Sequence, residues 1–241
     1  MISMRSWVRT AAFTVAVVLI GTPASAQIVQ SVQVGIGAFY PRGFDSRDVD
    51  DTLVANLSAA EPLQFDISRF RSAVYFGEWN IDMGSHISFG AGIGYYTDTV
   101  PSVYRNLVNE DGSEISQDLS LRMVPITAIV RFLPFGSPTT FQPYIGGGFS
   151  IIPWRYTEAG QFVDTADNSV FTDRFTSSGT AVAPLFALGA RIPVGGDVYG
   201  LTMEWRYQFA TGNTGGLSNG FLGDKIDLSG GTLNFAFLVR F

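Results

Sequence analysis

The alternation that decides the fold is clearest in residues 199–209, YGLTMEWRYQF. Every second side chain is large and apolar, and those between are small or polar. A period of two is typical of a β-strand that presents different side chains to its two faces. Outward from this stretch, the alternation recurs in residues 32–40, 73–83, 87–95, 119–132, 141–152, 182–192 and 232–241. The sequence therefore predicts eight strands.

The segment 119–132 changes phase at a proline. Its apolar face begins with Leu119, Leu121 and Met123, but the apolar residues after Pro125 resume in the opposite phase. Proline cannot donate to a strand ladder and is tolerated at bulges. We therefore expect a β-bulge at Val124-Pro125 and an outward orientation of the three residues before it.

The connections between these segments alternate in length. Residues 84–86, 133–140 and 193–197 are short connections, whereas residues 41–72, 97–117, 156–179 and 210–225 are long ones. Short periplasmic turns and long extracellular loops are typical of bacterial outer-membrane barrels. The predicted fold is thus all-β, an up-and-down antiparallel transmembrane β-barrel of eight strands with both termini in the periplasm.

Composition favours a membrane barrel over a soluble, lipocalin-like barrel. The 241 residues are 46% hydrophobic and only 15% charged, with 27 glycines and no cysteine. One face of the strands is aromatic and uncharged, while the other is rich in glycine, as in residues 88–94. Glycine weakens a strand unless something needs the space. We therefore expect the aromatic face to contact lipid and the glycine face to line a crowded lumen.

The N-terminus has the features of an export signal. Arg5 and Arg9 precede an apolar run over residues 10–20, and the small residues Ala24-Ser25-Ala26 follow. This order is that of a cleavable secretory signal peptide. We predict that residues 1–26 are a cleaved signal peptide and that residues 27–241 form the barrel of an outer-membrane protein.

The strand number, the alternating connections and the terminal segment 233–241, LNFAFLVRF, resemble the small outer-membrane barrels of the OmpA, OmpX and OmpW type. The last strand is similar to the signal read by the barrel-assembly machinery, with Asn234, Val239 and Phe241 at matching positions and Ala236 where glycine is expected. The resemblance implies insertion into the outer-membrane bilayer by that machinery, with periplasmic chaperones as partners. Because these families differ in function, it implies no activity.

Several charged side chains fall on the predicted inner face and require partners there. We expect Glu78, Arg122, Glu204 and Arg206 to form an ion-pair network near mid-height. Further lumen members are Arg131, Arg191, Arg240 and Asp82. An eight-stranded barrel is just wide enough for side chains, so such a network fills the lumen. The functional alternative is a narrow or gated polar path.

The inner face nearest the loops is apolar instead. Its residues are Phe39, Val74, Phe76, Tyr96, Ile152 and Leu185. They either pack beneath the loops or line a small hydrophobic pocket open to the exterior, as the resemblance to OmpW implies. The loops themselves contain apolar residues such as Phe44, Leu53 and Phe171, which either form a packed cap or bind a ligand or surface.

Enzymatic, metal and nucleic-acid functions have little support. The lone His86 lies in a predicted periplasmic turn, away from the rim where barrel enzymes place a catalytic histidine. Asp48, Asp50 and Asp51 could hold calcium weakly, although a solvated loop suits them better. The net charge of −6 argues against nucleic acid. We therefore expect no cofactor or metal and a structural or adhesive envelope protein; the alternatives are binding or passage of small hydrophobic compounds, and a narrow pore.

Overall fold

The computed structural model describes residues 28–241, apart from 165, 166, 168 and 197. The predicted signal peptide lies outside the described residues. The strands are β1 (Ile28–Pro41), β2 (Leu63–Gln64), β3 (Ser72–Met83), β4 (Ile87–Val108), β5 (Glu114–Met123), β6 (Ile126–Phe132), β7 (Gln142–Val163), β8 (Val170–Val194), β9 (Tyr199–Gln208), β10 (Thr211–Asn213), β11 (Lys225–Asp227) and β12 (Gly230–Arg240). The helix α1 spans Thr52–Ser58, and 3-10 turns cover Phe44–Ser46, Ile67–Phe70 and Gly216–Asn219.

Eight antiparallel positions close into a ring, which confirms the predicted barrel. The order is β1, β3, β4, β5 with β6, β7, β8, β9 and β12, and β12 returns to β1. Strands β5 and β6 lie end to end and share one position, since both pair with β4 and β7. Closure leaves no free edge among these strands, as a barrel in lipid requires.

The outer surface carries an apolar band. Its exposed side chains include Val34, Tyr75, Ile93, Phe149, Phe186 and Met203. The inner face is buried and changes character along the barrel axis. It is polar and charged toward the end with short turns and apolar toward the end with long connections. We call these the turn end and the loop end.

The predicted bulge at Val124-Pro125 is wrong, because the pairing register is the same on both sides of it. Strand β4 pairs Tyr96 with Met123 and Ile93 with Ile126, so equal numbers of residues face each other between the two pairs. The predicted outward orientation of Leu119, Leu121 and Met123 is also wrong, since all three are buried in the interior. The apparent phase slip arises because the inner face turns apolar above Pro125.

Two of the four predicted loops are mainly strand. Strands β4 and β5 continue as a hairpin to a turn at residues 109–113, and β7 and β8 continue, paired in register, as far as Val163 and Val170. Most of their outward residues above the apolar band are polar, so the wall extends past the band without a second apolar band. At the turn end, residues 84–86 connect β3 to β4, and Gly84 has φ +66°, a conformation that favours glycine.

The other two connections, residues 42–71 and 209–229, fold over the loop end of the ring and form what we call the cap. The cap contains α1, the strand β2 paired to β4, and the two-stranded β10–β11 sheet. None of the helices in the described part of the chain is long and apolar enough to span a bilayer.

Candidate functional site

A four-residue ion-pair network fills the middle of the lumen. Arg131 contacts Glu78 Oε1 at 2.7 Å through Nη2 and Glu204 Oε2 at 2.9 Å through Nε. Arg206 pairs with the same two carboxylates, contacting Glu78 Oε2 at 2.5 Å and Glu204 Oε1 through Nε. Two carboxylates and two guanidinium groups balance each other, which offsets the cost of burying charge.

Neutral polar groups complete the network. Gln33 Nε2 donates to Glu78 Oε1 at 2.8 Å, and Arg131 Nη1 donates to Asn80 Oδ1 at 2.8 Å. Glycine provides the space: a Cβ at Gly90 would lie 2.6 Å from Arg131 Nη1, and one at Gly189 would lie 2.6 Å from Tyr144 Oη. These contacts give a steric reason for the glycine-rich inner face.

A second polar layer lies nearer the turn end. Arg191 Nη1 pairs with Asp82 Oδ1 at 3.0 Å, and its Nη2 donates to Ser88 Oγ at 3.0 Å. Close to the chain terminus, Arg240 Nη2 donates to Gln142 Oε1 at 3.1 Å. The structure thus places Arg191 and Arg240 in the lumen. Arg191 is linked to the central network through Asn80, whose Oδ1 also accepts from Arg191 Nη2 at 3.3 Å, whereas Arg240 lies apart from it.

The predicted membership of Arg122 in the network is wrong. Arg122 is exposed on the outer surface, and its guanidinium carbon lies 5.3 Å from the centre of the Tyr95 ring. The physical reason is the unbroken phase through Pro125, which turns Leu121 and Met123 inward and therefore Arg122 outward. Arg131, which was expected only as a further member, occupies the central position.

The predicted apolar pocket is largely filled by protein side chains. Phe39, Tyr96 and Ile152 are buried in one apolar cluster with cap residues that include Leu53, Phe70 and Phe221. Tyr96 Oη donates to the Phe70 carbonyl oxygen at 2.6 Å. These three residues therefore lie beneath the cap and are not open to the exterior.

The remaining three pocket residues border a small cavity. Val74, Phe76 and Leu185 line a space of about 50 Å³ between the network and the cap, together with Thr127, Arg206, Thr232 and Asn234. Thr127 Oγ1 is buried there with no hydrogen-bond partner among the described residues. A cavity of this size holds only a few water molecules, since each needs about 10–15 Å³ of such space.

The two cap segments are joined to each other through Asp51 and Thr52. Asp51 caps α1 by accepting from Leu53 N at 3.1 Å, and it pairs with Arg47 at 3.0 Å and accepts from Asp227 N at 2.5 Å. Thr52 Oγ1 lies 2.9 Å from the carbonyl oxygens of both Gly223 and Lys225, which share its single proton. Burial raises the pKa of the Asp51 carboxyl.

The acidic run that includes Asp51 has protein partners rather than the geometry of a cation site. Lys225 Nζ lies 3.4 Å from Asp50 Oδ2 and 3.9 Å from Asp48 Oδ2. The described residues contain no group of three or more histidine, cysteine or carboxylate side chains arranged to hold a metal. His86 lies in the turn-end connection 84–86, where it contacts Ser85 Oγ at 2.6 Å.

A buried carboxyl group connects the cap to the barrel wall. Glu158 on β7 accepts from Asn56 Nδ2 of α1 at 2.6 Å and from Tyr156 Oη at 2.9 Å. No cation pairs with it among the described residues, and burial raises its pKa to about 7. Residue 158 lies above the apolar band, because the outward neighbours Arg155 and Thr157 are polar.

Sequence reasoning missed Glu158, Phe221 and the cap core residues Phe70, Ile226 and Leu228. Phe70, Glu158 and Phe221 lie in segments predicted as loops, and Ile226 and Leu228 lie between the last predicted loop and the last predicted strand. None of these segments has a fixed period. One local signal was present: Asp51, followed by Thr52 and the largely apolar residues 53–57, has the form of a helix N-cap.

The C-terminal strand closes the ring. Strand β12 pairs Val239 with both Val32 and Tyr199, and Phe241 N donates to Gln30 O at 3.0 Å. Asn234 is buried on the inner face, whereas Phe241 is exposed at the turn end. The use of Asn234, Val239 and Phe241 as an assembly signal stays a prediction.

Comparison with known proteins gives the fold. No protein-family model and no curated protein sequence matches the chain. Among solved structures, the chain is similar to the outer membrane protein OprG from Pseudomonas aeruginosa, with a TM-score of 0.54 and 12% identity over 90% of this chain and 97% of that one. It also matches Ail, the attachment invasion locus protein of Yersinia pestis, with a TM-score of 0.42 and 8% identity over 89% of this chain and 99% of that one. The match to Neisserial surface protein A has a TM-score of 0.42 and 13% identity over 89% of this chain and 96% of that one. The chain has the fold of the small eight-stranded outer-membrane β-barrels.

Proposed function

We propose that this protein is a non-enzymatic component of the outer membrane whose closed barrel anchors a contact surface outside the cell. The observation that carries the proposal is the double closure of the lumen, by the ion-pair network and by the cap. A barrel closed in this way is suited to hold and present its loop end rather than to conduct solutes. The outward apolar band is the surface that such a barrel turns to lipid.

Exposed apolar side chains at the loop end support a role in contact. Val49 and Leu217 of the cap are each 79% exposed, and Val108 and Phe171 are exposed near the tips of the two hairpins. Large apolar groups exposed to water in one region are typical of interaction surfaces. Because they lie on two cap segments and two hairpins, all four long connections contribute to this surface.

The experiment tests closure and contact together. Planar-bilayer recordings of the purified protein are expected to show no channel, and Glu78→Ala or Arg206→Ala is expected to open none either, because the cap still closes the loop end. Cells displaying the protein are then compared for retention on alkyl-coated glass. Val49→Asp with Leu217→Asp should reduce retention severalfold, whereas the exposed polar change Glu110→Gln should not. Wild-type conductance, or equal retention by all three forms, contradicts the proposal.

A second candidate, binding of a small hydrophobic compound, is favoured by the position of Phe76 and Leu185 beside the cavity under the cap. Ligand pockets usually measure about 300–1,000 Å³, so the cap must move before such a compound fits. Fluorescence titration with phenylnaphthylamine tests this candidate. Binding by wild type that is lost in Phe76→Arg supports it, and equal signals from the two proteins exclude it.

A further inference from the structure

Four neighbouring strands place a sharp chemical boundary on the outer surface. One row across β4, β6, β7 and β8 consists of Ile93, Ile126, Ile151 and Val182, paired in register. A higher row across β4, β5, β7 and β8 consists of Thr99, Ser120, Thr157 and Thr176, also paired in register, of which Thr99 and Thr176 are exposed and Thr157 is buried. The apolar band therefore ends between these two rows.

Two arginines lie opposite each other at this boundary. Arg122 of β5 pairs directly with Arg155 of β7, and Thr97 and Ser178 flank them on β4 and β8. Both arginines are exposed. Arg122 lies about ten residues from Phe132, which is at the turn end of the band. At a strand tilt of about 40° these residues span ~25 Å along the barrel axis, which matches the height of a lipid-facing band. We call Arg122 and Arg155 the arginine pair.

The arginine pair is not neutralised by the protein. Among the described residues, no carboxylate forms an ion pair with either guanidinium, in contrast to Arg131, Arg191 and Arg206 of the lumen. Like charges directly opposite each other on a strand pair are destabilising. An anion from outside the chain would relieve this repulsion.

We propose that the arginine pair binds the phosphate group of a lipid in the outer leaflet. Guanidinium groups match phosphate geometry through paired N–H donors, and the hydroxyls of Thr97 and Ser178 provide further donors beside them. The acyl chains of the same lipid would lie on Ile126, Ile151 and Val182 directly below. This inference requires the barrel to lie in a membrane with its loop end outside, but not that the loop end binds anything.

The charge pattern favours a lipid over a soluble anion. A free phosphate would be held equally well by arginines near the hairpin tips, such as Arg105 and Arg174, which are exposed. In contrast to Arg105 and Arg174, the arginine pair lies where a phosphate can be bound while its attached chains contact the apolar band. The position of the pair, as well as its charge, therefore selects the ligand.

The test uses the purified protein in uncharged detergent and native mass spectrometry. Wild type is titrated with lipid A that carries its phosphates, with chemically dephosphorylated lipid A, and with inorganic phosphate. We expect the phosphorylated lipid to bind more tightly than the dephosphorylated one. The double variant Arg122→Gln/Arg155→Gln should bind the phosphorylated lipid about 30-fold more weakly, at about 1 kcal/mol for each charge.

Matched variants make the result decisive. Arg105→Gln/Arg174→Gln removes the same charge farther from the band and should retain wild-type binding. The single variants Arg122→Gln and Arg155→Gln should each weaken binding about fivefold, and they serve if the double variant does not fold. An unchanged phosphate preference in the variants of the arginine pair overturns the proposal. So does equal loss in the control, or saturable binding of inorganic phosphate that displaces the lipid, which would assign the pair to a soluble anion.

Discussion

The lumen is closed at two levels that are built differently. Within the apolar band, the closure consists of charged side chains that the strands themselves provide, such as Arg131 and Glu204. At the loop end, it consists of apolar side chains brought by the cap, such as Phe221 and Leu53, packed on the wall. The first closure is part of the barrel wall, whereas the second is a separate structure resting on it. We therefore expect the cap to open without unfolding the barrel.

The largest effect is expected from removal of the central arginine. Arg131→Ala leaves Glu78 and Glu204 buried with one cation between them, and breaking a buried ion pair costs about 3–5 kcal/mol. Urea unfolding of the barrel in vesicles should show this loss in full. The exposed Arg105→Ala should change stability by less than about 0.5 kcal/mol. Equal stability of the two variants would mean that the network does not support the barrel.

The next largest effect is expected in the cap alone. Phe221 is fully buried, with its ring centre 5.7 Å from that of Tyr156. Phe221→Ala should lower the free energy of cap opening by about 3 kcal/mol and leave urea unfolding of the barrel nearly unchanged. Hydrogen exchange at the amides of Leu53 and Asp227 measures cap opening. The exposed Leu217→Ala is the control, and a fall in barrel stability in Phe221→Ala would show that the two closures form one unit.

The pH dependence of the cap should follow Glu158. Its pKa is raised by burial from 4.5 to about 7, so the docked cap holds a proton that the open cap releases. The resulting stabilisation is complete below pH 4.5 and is lost as pH rises through 7, a change of up to about 3 kcal/mol. The pKa of Asp51 is also raised by burial, so its titration makes the free energy of cap opening fall with rising pH as well, but at lower pH.

Hydrogen exchange of the cap amides between pH 5 and 8, corrected for intrinsic rates, measures this dependence. The groups around Glu158 are Asn56 from the cap and Tyr156 and Tyr104 from the wall, and the charges of Asp51 and Arg47 in turn act on Tyr156. Glu158→Gln keeps the contact with Asn56 and should make the free energy of cap opening nearly independent of pH above pH 5. A profile that stays as steep in Glu158→Gln would assign the dependence to another group.

The smallest effect concerns the link between the two cap segments. Thr52→Val keeps the shape of the side chain but removes the hydrogen bond that Oγ1 shares between Gly223 and Lys225, so the cap should lose about 1 kcal/mol of opening free energy. The same exchange measurement applies, with Thr99→Val on the outer wall as the control. Faster exchange at Leu53 without faster exchange at Asp227 would show that the two segments open independently.

The two levels also differ in how far the sequence predicts them. Within the band, alternation assigned Glu78, Arg131, Glu204 and Arg206 to the lumen, because the wall alone fixes their direction. Between Pro125 and the loop end, cap residues bury the inner face of the wall. Leu119 and Leu121 point inward and are apolar because they pack against the cap. Periodicity identifies two faces but not what covers them, and this is why Arg122 was assigned to the wrong side. Loop segments such as 216–228 carry no period, so their role in the core was not predictable.

The bridge between Asp51 and Lys225 sets an order of events during folding. The two residues are joined in register, and Lys225 N donates to Asp50 O at 3.1 Å, although one lies near the first strand and the other just before the last. Contacts between such distant positions form late, since the intervening chain must first be arranged. Helix α1 therefore stays uncovered until the β10–β11 sheet has folded against it. Protection of α1 from protease during assembly would report that the ring has closed.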